Sequence, residues 1–564
     1  MKRYKLFSSL STVLVAFSMG IVSCADNLDL SPIDYYGASN FWTTEAQAIG
    51  NISAMMQQFR GYNFQTVITY GEIRGGAYTL ETTGSDGASL NSQYLREQNL
   101  SATNYGVANF GDYWGLIANA NLFIARVEDA DYFSNEDTKN YCLGIVYGLR
   151  AYYYFLLYRA YGGVPLRLTP DVVDGNYDAT SLYMPRAKAS EVMEQIKSDI
   201  ATSLDYFGDQ TSFDFDGDSK NAKYYWSKAA TEMLAGEVYL WNSKVTVGDQ
   251  VADKNDLSIA KTYFQNVINN YGLSMQDSFE DVFSVNNKQN SEIIFAFQCD
   301  EDEVTNAIPV NYGYGIITGY TIGTAYDING NLWDNPDQIA STQQRYQYSN
   351  ALWYQFDEED TRRDITFSTS WHDQAATQLR GTFVRKNLGG ISSATNYRAY
   401  DGDQPIYRLP LAYLSLAEIA NMEGNFTDVE NYINLVRQRA YGENWDPSVY
   451  AYKAGSFLEN EVAILHEKDK EFVQEGQRWW DVCRMSVSAE CEETDHLVFH
   501  NEGHVAYGLT ITENMKELNA SSWEEASEIT VKPILETSNA YRVLWPIDSS
   551  TLGSDPTLEQ TPGY

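Results

Sequence analysis

The chain has 564 residues, a formal net charge of -37 and 44% hydrophobic residues, with 14% of the whole aromatic. That charge repels nucleic acid and anionic lipid, which excludes both as partners of the folded body, while the apolar content is ample for a large core. The 43 Tyr and 12 Trp outnumber 24 Phe, so most rings carry a polar handle suited to wet binding surfaces as well as to cores.

In chain order, Lys2, Arg3 and Lys5 precede an apolar run from Leu6 to Val22, the arrangement of a secretory signal peptide. The run is marginal for a membrane span, which needs about 20 residues. Ile21, Val22, Ser23 and Cys24 resemble the lipobox of bacterial lipoproteins. Residues 1–23 therefore read as a signal segment and Cys24 as a lipidated anchor, the only membrane contact the sequence requires. Apolar residues at i, i+3, i+4 spacing predict helices over 44–60, 105–128, 136–160, 187–206, 226–242, 256–270, 411–423, 428–440 and 457–485. Ser258 and Thr427–Asp428 read as helix caps, and Gly162, Gly272 and Gly424 as stops.

Internal repetition follows. With Gly424 at the small position of a tetratricopeptide repeat, Tyr413, Leu416, Ala417, Ala420, Val429, Ile433 and Val436 fall on the helix-contact positions with fitting sizes. A looser copy runs through Leu234, Ala235 and Val238 to Ala260, Phe264 and Val267, and a third pair is 136–160 with 187–206. Residues 290–408 differ. The strand-like SEIIFAFQ gives way to Gly-, Asn- and Tyr-rich loops such as NYGYGIITGYTIG and NGNLWDNP, and irregular segments of this length on a rigid scaffold usually carry function.

Several motifs are better read as structure. Glu471, Glu475, Arg478, Asp481 and Arg484 lie three or four residues apart, so on one helix they would form a ladder of ion pairs. His496, His500 and His504 lack the Glu of a zinc hydrolase, and Gly503 weakens the helix that would align them. Asp214, Asp216 and Asp218 alternate as hard-cation ligands often do. Ser219 and Tyr225 stand where an EF-hand needs Gly and Glu, which leaves a solvated acidic loop or a structural calcium site of another kind. Cys142, Cys299, Cys483 and Cys491 form no disulfide framework, although Cys483 and Cys491 are near enough in sequence to pair.

Six ordered stretches resemble the SusD/RagB family of outer-membrane nutrient-binding lipoproteins: LDLSPIDYYGASNFWTTEAQA, YWGLIANANLFIARV, GIVYGLRAYYYFLLYRAYGGVPL, YRLPLAYLSLAEIANMEGN with INLVRQRA, HEKDKEFVQEGQRWWDVCRM, and LWPIDSSTLGSDPTLEQTPGY. The resemblance implies a mainly α fold of tetratricopeptide-like hairpins with long loops and a few short strands, so that 24–564 is one SusD-like domain with a loop-rich insert at about 290–408. It further implies attachment to the outer membrane with the body facing outside, and a SusC-like TonB-dependent transporter as partner. The ligand would be an oligosaccharide or, in a minority branch, a peptide; no catalysis and no cofactor are implied.

A sugar offers an apolar face of C–H groups and a rim of hydroxyls, so its site needs flat rings together with carboxylates, amides or Arg. In the loop-rich insert Tyr312, Tyr314, Tyr320 and Trp333 supply rings, and Asp300 and Asn311 polar groups; TYGEIRGGAYTLETTGSDGASLNSQYLR adds Glu72, Arg74, Tyr78 and Tyr94. A surface glycosidase would need two carboxylates facing each other across a cleft, and no such pair is identifiable in the sequence.

Overall fold

The first helix, α1 (Glu45–Gly61), starts where Thr44 and Gln47 form a reciprocal capping box, each satisfying a backbone N–H that the helix itself cannot. The computed structural model describes residues 41–78, 94–105, 109–170, 179–309, 323–340, 348–500 and 533–564. After α1 come α2 (Trp114–Val127), α3 (Glu136–Tyr161), α4 (Ala189–Phe207), α5 (Lys228–Lys244) and α6 (Asp256–Asn270). The later long helices are α7 (Leu409–Met422), α8 (Phe426–Tyr441) and α9 (Phe457–Glu471), followed by the short α10 (Arg478–Arg484).

Consecutive helices pair as hairpins, α3 with α4, α5 with α6 and α7 with α8, and α4 meets α5 while α6 meets α7. The result is the expected mainly α, tetratricopeptide-like succession. Small residues set the approach of the helices. A methyl group at Gly236 would stand 2.6 Å from the Phe264 ring, and one at Gly148 2.3 Å from Trp226 Nε1. Ala417, Ala420, Val429, Ile433 and Val436 share one buried core with the residues of the earlier hairpins. From Tyr141 to Tyr161, α3 is buried on every side, as befits the central helix of a layered α protein.

Expectations about helix ends are corrected at the start of one helix, at two caps and, as a third kind, at a break. The stretch 105–128 becomes helical only at Trp114. The cap of α8 is Asn425, whose side chain accepts the Asp428 N–H, and α6 begins at Asp256, ahead of Ser258. The third correction concerns 457–485, which breaks between α9 and α10 because Gln474 and Gly476 take positive φ of 60° and 76°.

That break reorganises the expected ion-pair ladder. Within it only Arg484 and Asp481 pair with each other, at 2.7 Å. Glu471 instead receives Arg362 at 2.9 Å together with Arg408 and Arg439, and Glu475 receives Lys386 and Arg408. Glu292 joins Arg408 and Arg439 at 3.0 and 2.9 Å. Burial opposes the ionised form of Glu471, yet Arg439, Arg408 and Arg362 hold its carboxyl well below the usual range. This buried cluster joins α8, α9 and the insert.

The insert leaves and rejoins the helices at one place. Strand β1 (Ile293–Phe297) runs antiparallel to β4 (Gln404–Arg408), with Ile293 opposite Arg408 and Phe297 opposite Gln404. Between them β2 (Phe367–Trp371) and β3 (Leu379–Val384) form a second antiparallel pair. Among the described residues no helix is long and apolar enough to cross a membrane.

Candidate ligand-binding site

Two of the stretches nominated from sequence are rooted side by side. Tyr78 and Tyr348, 270 residues apart, form an antiparallel bridge, and their ring centroids lie 4.2 Å from each other. The Tyr78 hydroxyl donates to Tyr348 Oη at 2.8 Å, and Tyr348 in turn donates to Glu72 Oε2. Glu72 Oε1 accepts the Glu475 and Gly476 N–H groups at 2.8 and 3.0 Å, and the Gln474 N–H donates to Tyr348 Oη at 3.1 Å. One carboxyl therefore ties together the segment before residue 79, the segment after residue 347 and the turn between α9 and α10. Burial pushes Glu72 up to about 7, against the opposing pull of the Tyr348 hydroxyl, the two amides and Lys386.

Arg74 lies between the Trp479 and Trp545 rings, 4.1 and 4.3 Å from their centroids. Its Nε donates to Gln98 Oε1 at 2.8 Å, and its terminal nitrogens donate to the Val543 and Arg542 carbonyls. Burial lowers it to about 10. Trp333 packs in a small cluster with Ala325, Ile339, Phe383, Leu388 and Tyr400. Glu72, Arg74, Tyr78 and Trp333 were expected to face a ligand, and in the structure each is at most 3% exposed. Each has found its partners inside the protein, so none of the four presents its side chain to solvent.

Tyr94 is half-buried and Asp300 exposed. Asp300 sits in a tight turn, where its carboxylate accepts the Asp302 N–H at 2.9 Å, while Glu303, three residues on, pairs with Arg60 at 2.6 Å. Cys24, Asn311, Tyr312, Tyr314, Tyr320 and His504 lie outside the described residues. Tyr348, the node of the junction, was not anticipated from the sequence; nothing in its neighbours QYSNALWY marks it.

Two of the remaining motifs have described members with local partners. His496 Nδ1 faces the Arg484 carbonyl at 3.1 Å, and burial lowers the ring to about 4. Asp218 accepts the Asn221 N–H and side-chain amide at 3.2 and 2.8 Å, and among the described residues no group of three or more His, Cys, Asp or Glu is placed to hold a metal ion. The four described cysteines are free, so Cys483 and Cys491 are not paired.

Comparison with known proteins matches both halves of the chain. Residues 375–564 fit the model of the SusD family, and residues 45–240 fit a family described as "Starch-binding associating with outer membrane". A solved SusD superfamily protein from Bacteroides fragilis is 46% identical, covering 93% of this chain and 100% of its own, with a TM-score of 0.81. NanU from B. fragilis is 29% identical over 95% of this chain and 100% of its own, with a TM-score of 0.74. Surface glycan-binding protein A from Bacteroides fluxus shares the fold at 18% identity and a TM-score of 0.64, over 93% of this chain and 100% of its own.

Proposed function

Because the chain belongs to the SusD/RagB family, we propose that it is a non-enzymatic glycan-binding lipoprotein of the outer membrane, held at the cell surface through Cys24. It captures oligosaccharides and passes them to a SusC-like TonB-dependent transporter. In this reading residues 1–23 are removed, 24–564 is a single SusD-like domain, and the loops of 290–408 carry ligand contacts. Tyr94, Asp300, Asn311, Tyr312, Tyr314 and Tyr320 contact the sugar. Glu72, Arg74, Tyr78 and Trp333 hold the frame.

The observation that carries this reading is the junction of Tyr78 with Tyr348. It holds Tyr78 and Tyr348, 270 residues apart, against the same buried carboxyl, so that two distant parts of the chain meet at one place. The description of the family matched by residues 45–240, and the glycan binding named for the Bacteroides fluxus relative, support the ligand class.

The test is a binding panel. The purified mature chain is titrated with plant, host and microbial glycans and with peptide digests, while products are monitored. Binding of at least one glycan, weakened by Tyr312→Ala without loss of folding, supports the reading. Peptide binding with no glycan binding overturns the ligand class, and sustained hydrolysis at catalytic protein concentrations overturns the non-enzymatic role. Fractionation of cells expressing Cys24→Ala should move the protein out of the membrane fraction; retention there refutes the anchor.

A further inference from the structure

A cleft of about 500 Å³ opens on the insert, between the short helices Phe279–Phe283 and Arg362–Thr366 and the segment 385–398. Its volume lies within the range of about 300–1,000 Å³ typical of small-ligand pockets. The half-buried side chains of Phe283, Val285 and Ile365 contribute apolar surface to it. Lys386, bonded to Glu475 at 2.5 Å, stands 4.6 Å over the Phe283 ring and holds that surface in place.

Around this strip the lining is charged and of mixed sign, with Arg385 and Arg398 beside Glu280, Asp281 and Asp364, the charge of Lys386 being met by Glu475. In a chain of net charge -37 such mixing of signs is local, and it decides the ligand class. An anionic sugar would meet the three carboxylates, and a cationic one the two arginines. A neutral polyol meets donors and acceptors alike without leaving a charge uncompensated. Arg385 is suited to donate, since its side chain is 40% accessible and among the described residues only its Nε is engaged, by Asp337 at 3.3 Å. Among the described residues Glu280 makes no ion pair, and it is exposed.

We propose that this cleft is a second saccharide subsite, which takes a neutral sugar ring with its C–H face on Phe283, Val285 and Ile365 and its hydroxyls between Arg385 and Glu280. The inference rests on the glycan reading above. It adds a foothold built entirely of described residues, linked through Lys386 and Glu475 to the Glu72 carboxyl of the Tyr78–Tyr348 junction, so an oligosaccharide or a branched glycan can be held at two places.

The test titrates the mature chain, the double variant Arg385→Ala/Glu280→Ala and the single variant Tyr312→Ala with maltohexaose, laminarihexaose and cellohexaose by calorimetry. Circular dichroism and thermal melting establish that each variant is folded. For a hexaose the wild type binds, the double variant is expected to lose about tenfold in affinity, or one of two binding events, as for removal of charge-assisted hydrogen bonds. A crystal soaked with the same hexaose should show a sugar ring against Phe283. Unchanged affinity and stoichiometry in a folded double variant overturn the subsite while leaving the glycan reading standing. Failure of the wild type to bind any of the three neutral hexaoses overturns the subsite as a site for neutral sugar; the wider panel then decides the glycan reading separately.

Discussion

Replacing Glu72 by Gln should remove a defined slope from the dependence of stability on pH. The folded carboxyl titrates at about 7, raised from 4.5 chiefly by burial, so between these values the folded state holds a proton that the unfolded chain has lost. Its contribution is therefore present in full below pH 4.5 and is lost as pH rises through 7. At about 1.4 kcal/mol per pH unit the loss amounts to about 3 kcal/mol. The Gln amide turns an N–H₂ toward hydroxyls that had an acceptor there, a pH-independent cost of about 1–3 kcal/mol; the slope, and not the offset, is the readout. Urea unfolding followed by Trp fluorescence, with wild type and variant compared at each pH from about 4.5 to 8, should give a wild-type-minus-variant difference that falls by about 3 kcal/mol toward alkaline pH, so that the two curves meet or cross. Parallel curves would refute the reasoning, since they would mean that Glu72 titrates alike in both states.

Three further outcomes follow from the same geometry. His496 titrates at about 4 instead of 6.5 because it is buried; its contribution is present above pH 6.5 and lost as pH falls through 4. His496→Gln should then resist acid better than wild type by about 3 kcal/mol across that window, and an unchanged acid limb in urea unfolding would count against it. Glu471→Gln leaves Arg362, Arg408 and Arg439 crowded around a neutral amide, so a loss of about 3–5 kcal/mol is expected in chemical denaturation. Gly236→Ala drives a methyl group into the Phe264 ring and should cost about 1–3 kcal/mol. A melting temperature equal to that of wild type would show that α5 and α6 can separate freely.

The hairpins were legible because their information is local. Ala417, Ala420, Val429 and Ile433 recur at helical spacing, and each contact position states whether a large or a small side chain belongs there. The break at 474–476 was not. Apolar residues continue at a helical period from Phe472 through Trp480, and the one local mark was Gly476. The decisive groups, Glu72 and the Gly75 carbonyl that receives Arg478 Nε at 2.7 Å, lie about 400 residues away. The ion-pair ladder shows the same limit. The sequence identified which groups would be paired, but their partners, Arg362, Arg408 and Arg439, come from outside the helix.

The candidate site exposes a different boundary. Charged residues in a glycine-containing stretch such as TYGEIRGGAY are ordinarily exposed, since burying an uncompensated charge is costly. Here compensation arrives from elsewhere. Two backbone amides and two tyrosines surround Glu72, and two tryptophan faces with two carbonyls and an amide surround Arg74. The burial of these residues was therefore not legible, because exposure is set by partners that no local pattern names. The titrations make this argument testable in one respect. Between pH 4.5 and 6.5 Glu72 loses stability as pH rises while His496 gains it, by similar amounts. Measured as differences from wild type at each pH, Glu72→Gln should gain stability with rising pH, His496→Gln should lose it, and the double variant should run parallel to wild type.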